Sequence, residues 1–232
     1  MKNILTGCRC LDVNLDGGIS PDSLLLVYGE PETGKTTLAM QCAVYCAMQN
    51  YKTLFVDCDN SFAPKRLSQV ADGKFEEIAD LVILMKPNDF KEQAAVIDRL
   101  TEYTVKNFGL VVFDTVSSLY RVKVAETSGK AFGLNRELNR QMAILAQTAK
   151  TQKIPVIVTS QVRSVFDDSY VSVAPVATRV LKFWADTIIA LKPTENPQVI
   201  KAVLEKTQRS SPETFCDLII GETGIRDYPF HH

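Results

Sequence analysis

Gly29-Glu30-Pro31-Glu32-Thr33-Gly34-Lys35-Thr36 is the most informative stretch of this sequence. It matches the pattern G-x-x-x-x-G-K-S/T, in which glycines let the backbone curl so that its N–H groups point inward at a phosphate. The apolar run Leu24–Tyr28 precedes it and a helical pattern over 35–49 follows it. The loop therefore joins a predicted strand to the positive end of a predicted helix, which is the context a phosphate-binding loop requires.

The roles of individual residues in this loop follow from their chemistry. We assign the whole loop and the next residue, Thr37, to nucleotide binding. Lys35 is expected to reach the β- and γ-phosphates, and the Thr36 hydroxyl to ligate Mg²⁺. Asp114 ends the apolar run Leu110–Phe113, so its carboxylate is expected beside the loop, where it would hold the Mg²⁺ shell. The two motifs together predict a site for a Mg²⁺-nucleoside triphosphate.

Hydrolysis also needs a group that activates the attacking water. Asp57 and Asp59 follow the apolar run Thr53–Val56, and either can serve as the base. The alternative is that both cap a helix that begins near Ser61. Gln161 follows a further apolar run and is a candidate sensor of the γ-phosphate, or else an ordinary polar loop residue.

Outward from the loop, short apolar runs alternate with longer helical patterns. This order predicts an α/β fold, a mostly parallel twisted sheet with helices on both faces. After residue 178, apolar runs at 186–191, 199–204 and 214–220 follow one another without helices, which indicates an antiparallel C-terminal extension. We expect residues 1–232 to form a single domain. The predicted parallel strands are Leu24–Tyr28, Thr53–Val56, Leu81–Met85, Leu110–Phe113 and Pro155–Thr159, and the predicted helices lie near 35–49, 61–71, 89–107 and 133–152.

Composition excludes several classes of protein. With 232 residues, 46% hydrophobic and 23% charged, the chain is neither disordered, nor collagen-like, nor a disulfide-stapled miniprotein. Its 26 Lys plus Arg against 27 Asp plus Glu give a net charge of −1, so any nucleic-acid binding must be local. The sequence has neither an apolar run of membrane-spanning length nor a signal peptide, so we expect no membrane association and a cytoplasmic location.

The six cysteines are expected to be reduced thiols in such a compartment. The favoured interpretation is that these cysteines pack as small residues of the core. A four-thiolate zinc site from Cys8, Cys10, Cys42 and Cys46 is the alternative.

Two stretches lack periodicity, Arg121–Lys130 and Arg163–Ala174. Both leave the carboxyl ends of adjacent predicted strands, where ligands bind in open α/β sheets.

At this point the sequence resembles the RecA/RadA recombinase family, and most closely its short archaeal paralogues. Val56–Leu67 resembles the family stretch D-T-E-G-T-F-R-P-E-R-L, Phe113–Arg121 its Walker B extension, and Thr159–Val162 its T-N-Q-V. Leu5–Ile19 resembles the lead-in to the first strand. The resemblance spans nearly the whole chain. It implies a RecA-like P-loop ATPase core, ATP with Mg²⁺ as cofactors, DNA as a partner, and a role in recombination and repair.

Residue roles carry over from the family by position. Asp59 aligns with the catalytic Glu, Arg66 with the residue that stacks on adenine, and Gln161 with the link from the γ-phosphate to the second DNA loop. Lys35, Asp59, Asp114 and Gln161 are thus the expected catalytic set.

By the same resemblance, the stretches Arg121–Lys130 and Arg163–Ala174 align with the family's two DNA-facing loops. Basic residues on or after them are therefore candidates for single-stranded DNA contacts, and aromatic residues for base stacking; an ordinary surface role is the alternative. These candidates are Arg121, Lys123, Lys130, Arg163, Arg179 and Lys182, with Phe166 and Tyr170. Lys206 and Arg209 lie near a basic motif that approaches a neighbouring subunit's nucleotide in related ATPases; ordinary surface charge is the alternative.

Three departures from the family pattern shape the functional expectation. Asp59 is one methylene shorter than Glu, roughly 1.5 Å, so we expect weak, DNA-dependent ATP hydrolysis. The sequence contains neither an N-terminal helix-hairpin-helix domain nor a Phe-x-x-Ala polymerisation motif, so a monomer or small oligomer is expected rather than a long filament. The stretch Arg163–Ala174 carries Asp167 and Asp168 and is not basic overall, so its attraction for phosphate is expected to be weak.

The expected function is that of an accessory protein that assists a RadA-type recombinase or another recombination protein. Two alternatives stay open at this point. One is a non-hydrolysing adaptor, switched by ATP, that acts through protein binding. The other is a KaiC-like signalling ATPase.

Overall fold

A computed structural model describes residues 2–104, 107–127, 131–167, 170–175, 177–208 and 214–229, with the backbone alone for 163–167, 170–175 and 178. The first half contains α1 (Arg9–Asn14), β1 (Leu24–Gly29), α2 (Lys35–Met48), β2 (Lys52–Asp57), α3 (Pro64–Val70), α4 (Phe75–Ile78), a 3-10 turn (Ala79–Leu81), β3 (Val82–Met85), α5 (Phe90–Asp98) and α6 (Leu100–Tyr103). The second half contains β4 (Phe108–Asp114), α7 (Ser118–Glu126), α8 (Ala131–Gln152), β5 (Val156–Asp167), β6 (Tyr170–Pro175), α9 (Thr178–Trp184), β7 (Thr187–Pro193), β8 (Val199–Lys206), β9 (Thr214–Gly221) and β10 (Gly224–Asp227).

One twisted sheet organises these elements, in the order β10-β9-β8-β7-β1-β5-β4-β2-β3, with β6 paired to β5 outside this path. The strands from β7 to β3 run parallel, whereas β8, β9 and β10 extend the sheet in antiparallel fashion. The predicted fold class and the antiparallel C-terminal extension are therefore confirmed. The strand β1 lies at the centre of the sheet, and its partners β5 and β7 come late in the chain.

The sheet separates two apolar cores, because side chains alternate between the faces of a strand. Leu25 and Val27 of β1 pack in one core with the helix α2. Leu24 and Leu26 pack in the other, with α5 and α8. All six β1 residues are buried, as expected for a strand covered on both sides.

Both stretches that lack periodicity turn out to be regular structure, so the prediction of two loops is wrong. Residues 118–126 form α7, whose signature is weak because Tyr120 is its only buried residue. β5 continues to Asp167 and pairs with β6 in an antiparallel hairpin, although polar and apolar residues do not alternate along it. Lys130 and Asp168 lie outside the described residues.

The predicted helix boundaries also shift in two places. The helix expected near 61–71 begins at Pro64, whose fixed φ suits a first helical turn. The helix expected over 89–107 is two helices, α5 and α6, that meet at Arg99.

The expectation of six reduced cysteines is wrong for one pair. Cys10 of α1 and Cys216 of β9 form a disulfide with a Cα–Cα distance of 5.9 Å, across 206 residues of sequence. Such pairing cannot be deduced from spacing when the two residues lie at opposite ends of the chain. Cys8, Cys42, Cys46 and Cys58 are buried free thiols, as core packing predicts. No group of three or more His, Cys, Asp or Glu residues within the described ranges is arranged to hold a metal ion, which excludes the zinc site.

The buried side chain of Gln41 connects segments near both ends of the chain to α2, the helix that follows the Gly29–Thr36 loop. Gln41 of α2 donates through Nε2 to Thr6 O (2.7 Å) and Ile225 O (2.8 Å), and its Oε1 accepts from Ile225 N at 2.8 Å. The amide thus satisfies buried backbone groups of the N-terminal segment and of β10. A buried backbone group that loses its partner costs about 1–3 kcal/mol.

We expect Gln41→Leu to lower the free energy of unfolding by about 3 kcal/mol, because at similar side-chain volume it leaves Thr6 O and Ile225 N unpaired and leaves Ile225 O with the Cys8 thiol alone. Urea unfolding measures the change. Gln147→Leu, at an exposed position on α8, is the control and should stay within about 0.5 kcal/mol of the unmodified protein. Equal losses in the two variants would contradict the role of Gln41.

Among the helices of the described ranges, none has the length and apolar character needed to cross a bilayer.

Candidate functional site

The loop between β1 and α2 has the backbone shape that its sequence predicts. Glu32 and Gly34 adopt left-handed conformations, with φ of 65° and 88°. The Thr33 hydroxyl donates to Glu30 O at 2.8 Å and braces the turn. Gly29 has no room for a side chain, since a Cβ there would lie 2.3 Å from Leu191 O of β7. This curl gathers successive N–H groups at the start of α2, an arrangement suited to anions.

Lys35 lies within the curl of the loop. Its Nζ donates to Glu30 O at 2.6 Å, and the residue is only 8% exposed. Burial lowers the pKa of the Lys35 amine, and the nearby carboxylates of Asp114 and Asp59 oppose that effect. Lys35 therefore lies at the mouth of the loop, close to these acidic groups.

Asp114 and Thr36 meet beside the loop, as the sequence predicts. Asp114 ends β4 and is fully buried, and it accepts hydrogen bonds from Thr159 and from Ser61, the latter at 3.3 Å. Burial raises the pKa of the Asp114 carboxyl, while hydrogen bonds from Thr159 and Thr36 counter the rise. A carboxylate and a hydroxyl are hard oxygen donors, and Mg²⁺ commonly uses one or two protein oxygens together with substrate phosphates. These two residues fit that ion.

The structure separates the two aspartates that the sequence left as alternatives. Asp57 is buried and structural, because its carboxylate accepts from Ser61 N (3.0 Å) and Phe62 N (3.2 Å) and pairs with Lys86 at 3.2 Å. Asp59 also accepts from Ser61 N, at 3.2 Å, but its other oxygen accepts from the Thr115 hydroxyl at 3.0 Å. The Asp59 carboxylate is thus half-buried beside the residue that follows Asp114.

Gln161 of β5 also borders the loop, on the side where Asp114 lies, because β5 lies between β1 and β4 in the sheet. Its Cα is paired with that of Gly29 in the β1–β5 register, so it borders the first residue of the loop. Its Oε1 accepts from Nη1 of Arg121 at 2.6 Å. The candidate sensor and a basic residue of the first expected DNA-facing stretch are therefore in direct contact.

Arg66 is held by a turn that the sequence analysis did not connect to the site. Its guanidinium donates to Glu222 O (2.7 Å) and Gly221 O (3.0 Å), and its Nε lies 3.4 Å from the Thr37 hydroxyl. The β9–β10 turn thus fixes Arg66 next to the first turn of α2. The Gly221-Glu222-Thr223-Gly224 stretch signals a turn, but its proximity to Arg66 depends on the sheet order.

Among the basic residues expected near a neighbouring subunit or DNA, some bind other residues of this chain and others are exposed to solvent. Lys206 donates to Ala185 O. Lys182 pairs with Glu205 at 2.5 Å and lies 3.3 Å from the Tyr28 hydroxyl, in a cluster that sequence analysis missed. Arg179 is exposed. Arg209 lies outside the described residues, as do the side chains of Arg163, Phe166, Asp167 and Tyr170.

Comparison with known proteins assigns this fold and site to a class. The family model described as Rad51 matches residues 1–228, and the chain belongs to that family. Its relatives include the DNA repair and recombination protein RadB of Thermococcus kodakarensis, which is 38% identical over 96% of this chain and 98% of the relative. RadB of Methanothermobacter thermautotrophicus is 32% identical over 84% of each chain.

A solved structure described as the RadB recombinase matches with a TM-score of 0.80 and 35% identity, and covers 97% of this chain and 100% of that one. Within the Rad51 family the chain therefore groups with the RadB proteins. This confirms the resemblance to the RecA/RadA recombinases and to their short archaeal paralogues.

Proposed function

We propose that this protein is a DNA repair and recombination factor that binds Mg-ATP, hydrolyses it slowly, contacts single-stranded DNA and assists a RadA-type recombinase. The observation that carries the proposal is the meeting of Lys35, Thr36 and Asp114 at one curled loop. The names of the RadB relatives support the assignment to repair and recombination.

In this proposal the loop residues hold the triphosphate. The loop from Gly29 to Thr37 cradles the phosphate oxygens with its backbone N–H groups, which Pro31 alone lacks, and the Lys35 ammonium neutralises the β- and γ-phosphates. Thr36 and Asp114 hold Mg²⁺, which neutralises the charge that develops on the phosphate oxygens when it is bound. The guanidinium of Arg66, fixed by two carbonyls of the β9–β10 turn, offers its flat face to the adenine.

Asp59 is the proposed base for hydrolysis. It accepts a proton from water as the water oxygen bonds to the γ-phosphorus and the bond from that phosphorus to the ADP oxygen breaks. Asp57 is unsuited to this task because the Ser61 and Phe62 N–H groups and Lys86 already engage its oxygens. The short reach of Asp59 is the reason to expect slow turnover, since a misplacement near 1 Å can cost about 10²-fold in rate.

DNA contact is proposed at the edge where β4 and β5 end. Arg121 on α7 and Arg179 on α9 are exposed cations in that region, and the β5–β6 hairpin extends from the same edge. With a net charge of −1 the attraction is local and depends on salt. The protein is proposed to act as a monomer or small oligomer beside a recombinase filament.

One observation favours the non-hydrolysing adaptor as a second candidate. Asp59 already accepts hydrogen bonds from Ser61 N and from the Thr115 hydroxyl, so both of its oxygens have partners in the protein. An Asp held in this way would have a structural role and no catalytic one, and ATP would act as a switch for protein binding.

We expect Asp59→Glu to raise ATP turnover about tenfold, because the added methylene brings the carboxylate closer to the attacking water. The measurement is phosphate release by the purified protein, with and without single-stranded DNA. Lys35→Ala supplies the background and Asp59→Asn the loss of the base. Turnover at the Lys35→Ala level in the unmodified protein and in Asp59→Glu, despite tight ATP binding, would decide for the adaptor.

A further inference from the structure

The contact between Arg121 and Gln161 is anchored by buried neighbours. Ser117, which precedes α7, and Ser160 of β5 are both fully buried, and their hydroxyl oxygens lie 3.0 Å apart. Arg121 N donates to Ser117 O at 3.1 Å, and Gln161 is the next residue after Ser160. The start of α7 is thus fixed against β5 at the position where Gln161 borders the phosphate loop. The 2.6 Å bond between the two side chains follows from this anchoring.

The chemistry of the two side chains determines how the amide is oriented. A guanidinium can only donate hydrogen bonds, whereas a glutamine amide has one acceptor oxygen and one amino group. Arg121 therefore binds the amide oxygen and leaves the Gln161 amino group directed elsewhere. In the opposite orientation the amide would present its oxygen, which repels a phosphate. Arg121 selects the orientation in which Gln161 can donate to an anion at the loop.

Each end of this pair retains donors that are not used. Within the described part of the chain, Arg121 uses only Nη1, and the Gln161 amino group has no hydrogen-bond partner. The guanidinium is exposed, so its remaining N–H groups are accessible to a phosphate from outside. A guanidinium can bind two partners at once because its five N–H donors form a rigid planar fork.

We propose that Arg121 is a positioning residue that sets the Gln161 amide to recognise the γ-phosphate, and that its free donors bind a backbone phosphate of single-stranded DNA, so that the two ligands reinforce each other. This inference rests on the proposed function and adds the residue that couples its two ligands. Either ligand orders the shared pair and lowers the ordering cost for the other. The coupling is reciprocal, as linkage between binding sites must be.

The test compares affinities for a β,γ-imido analogue of ATP and for ADP, both with Mg²⁺, by calorimetry. In the unmodified protein we expect oligothymidylate to raise the analogue-to-ADP affinity ratio at least about threefold. Gln161→Ala should lower the ratio without DNA about tenfold, the loss expected for a hydrogen bond to a charged group. Arg121→Met should lower it about threefold and abolish the DNA effect, and the double variant should match Gln161→Ala alone.

Arg136→Met removes an exposed arginine from the neighbouring helix α8 and is the matched control, with an expected ratio equal to that of the unmodified protein. Arg121→Lys keeps the charge with fewer donors, so its analogue-to-ADP affinity ratio should lie between those of Arg121→Met and the unmodified protein. An exposed hydrogen bond contributes little to stability, so the melting temperature of Arg121→Met should not change.

An unchanged ratio in Arg121→Met, additive losses in the double variant, or the absence of a DNA effect in the unmodified protein would each overturn the inference and leave the proposed function intact. Failure of the unmodified protein to bind the analogue at all would overturn both.

Discussion

Reduction of the Cys10–Cys216 disulfide is expected to lower the free energy of unfolding by roughly 4–5 kcal/mol. The bond closes a loop of 206 residues, so its removal releases conformational freedom in the unfolded chain that the oxidised chain does not have. The loss is large beside the total stability of an ordinary domain, about 5–15 kcal/mol. Urea unfolding with and without dithiothreitol measures it.

Cys10→Ser is the control for effects of dithiothreitol elsewhere in the molecule. This variant cannot form the disulfide, so its free energy of unfolding should be the same with and without dithiothreitol. The remaining thiols are poor competitors for exchange, because burial raises the pKa of Cys8 to about 12 and of Cys46 to about 11 and keeps the reactive thiolate scarce. Thiol counting on the denatured protein should find the four free cysteines before reduction. A count that includes Cys10 and Cys216 at that stage would show that the bond is absent.

Gly29→Ala is expected to lower the free energy of unfolding by about 3 kcal/mol and to weaken ATP binding at least about tenfold. A Cβ at this position would lie 2.3 Å from Leu191 O and 2.8 Å from the Thr33 hydroxyl. Gly29 and Leu191 are paired across β1 and β7, so the new Cβ clashes with a backbone carbonyl and the clash can be relieved only if the strands separate at the start of the loop. Urea unfolding and calorimetric titration with Mg-ATP measure the two effects.

Gly133→Ala is the matched substitution. Gly133 lies within α8, and a Cβ there meets nothing within 4 Å. Alanine favours the helix, so this variant should gain about 0.5–1 kcal/mol and bind ATP normally. If Gly29→Ala behaved like Gly133→Ala, the close approach of β1 and β7 at the loop would be wrong.

The parts of the fold that sequence predicts well are those governed by local pattern. The strand at 24–29 is recognisable because it is apolar throughout, and the loop after it because glycine and lysine occur at fixed spacing. The meeting of Thr36 and Asp114 follows from topology, since parallel strands end at the same edge of a sheet. The roles assigned to these residues stay predictions until the experiments are done.

Other features depend on long-range packing and leave little trace in the sequence. The β9–β10 turn that fixes Arg66 becomes relevant only once the antiparallel extension places it beside α2. The choice between Asp57 and Asp59 required the hydrogen bonds that Asp57 makes to Ser61 and Phe62. The helix α7 was missed because a surface helix with one buried residue has almost no apolar period.

The position of β1 at the centre of the sheet has a consequence for the synthesis of the chain. Its partners β5 and β7 are completed only at residues 167 and 193, so β1 leaves the ribosome long before either neighbour exists. Strands that await distant partners fold late and expose apolar edges in the meantime. The apolar edges of β1 therefore stay without their strand partners in the nascent chain until β5 and β7 have emerged.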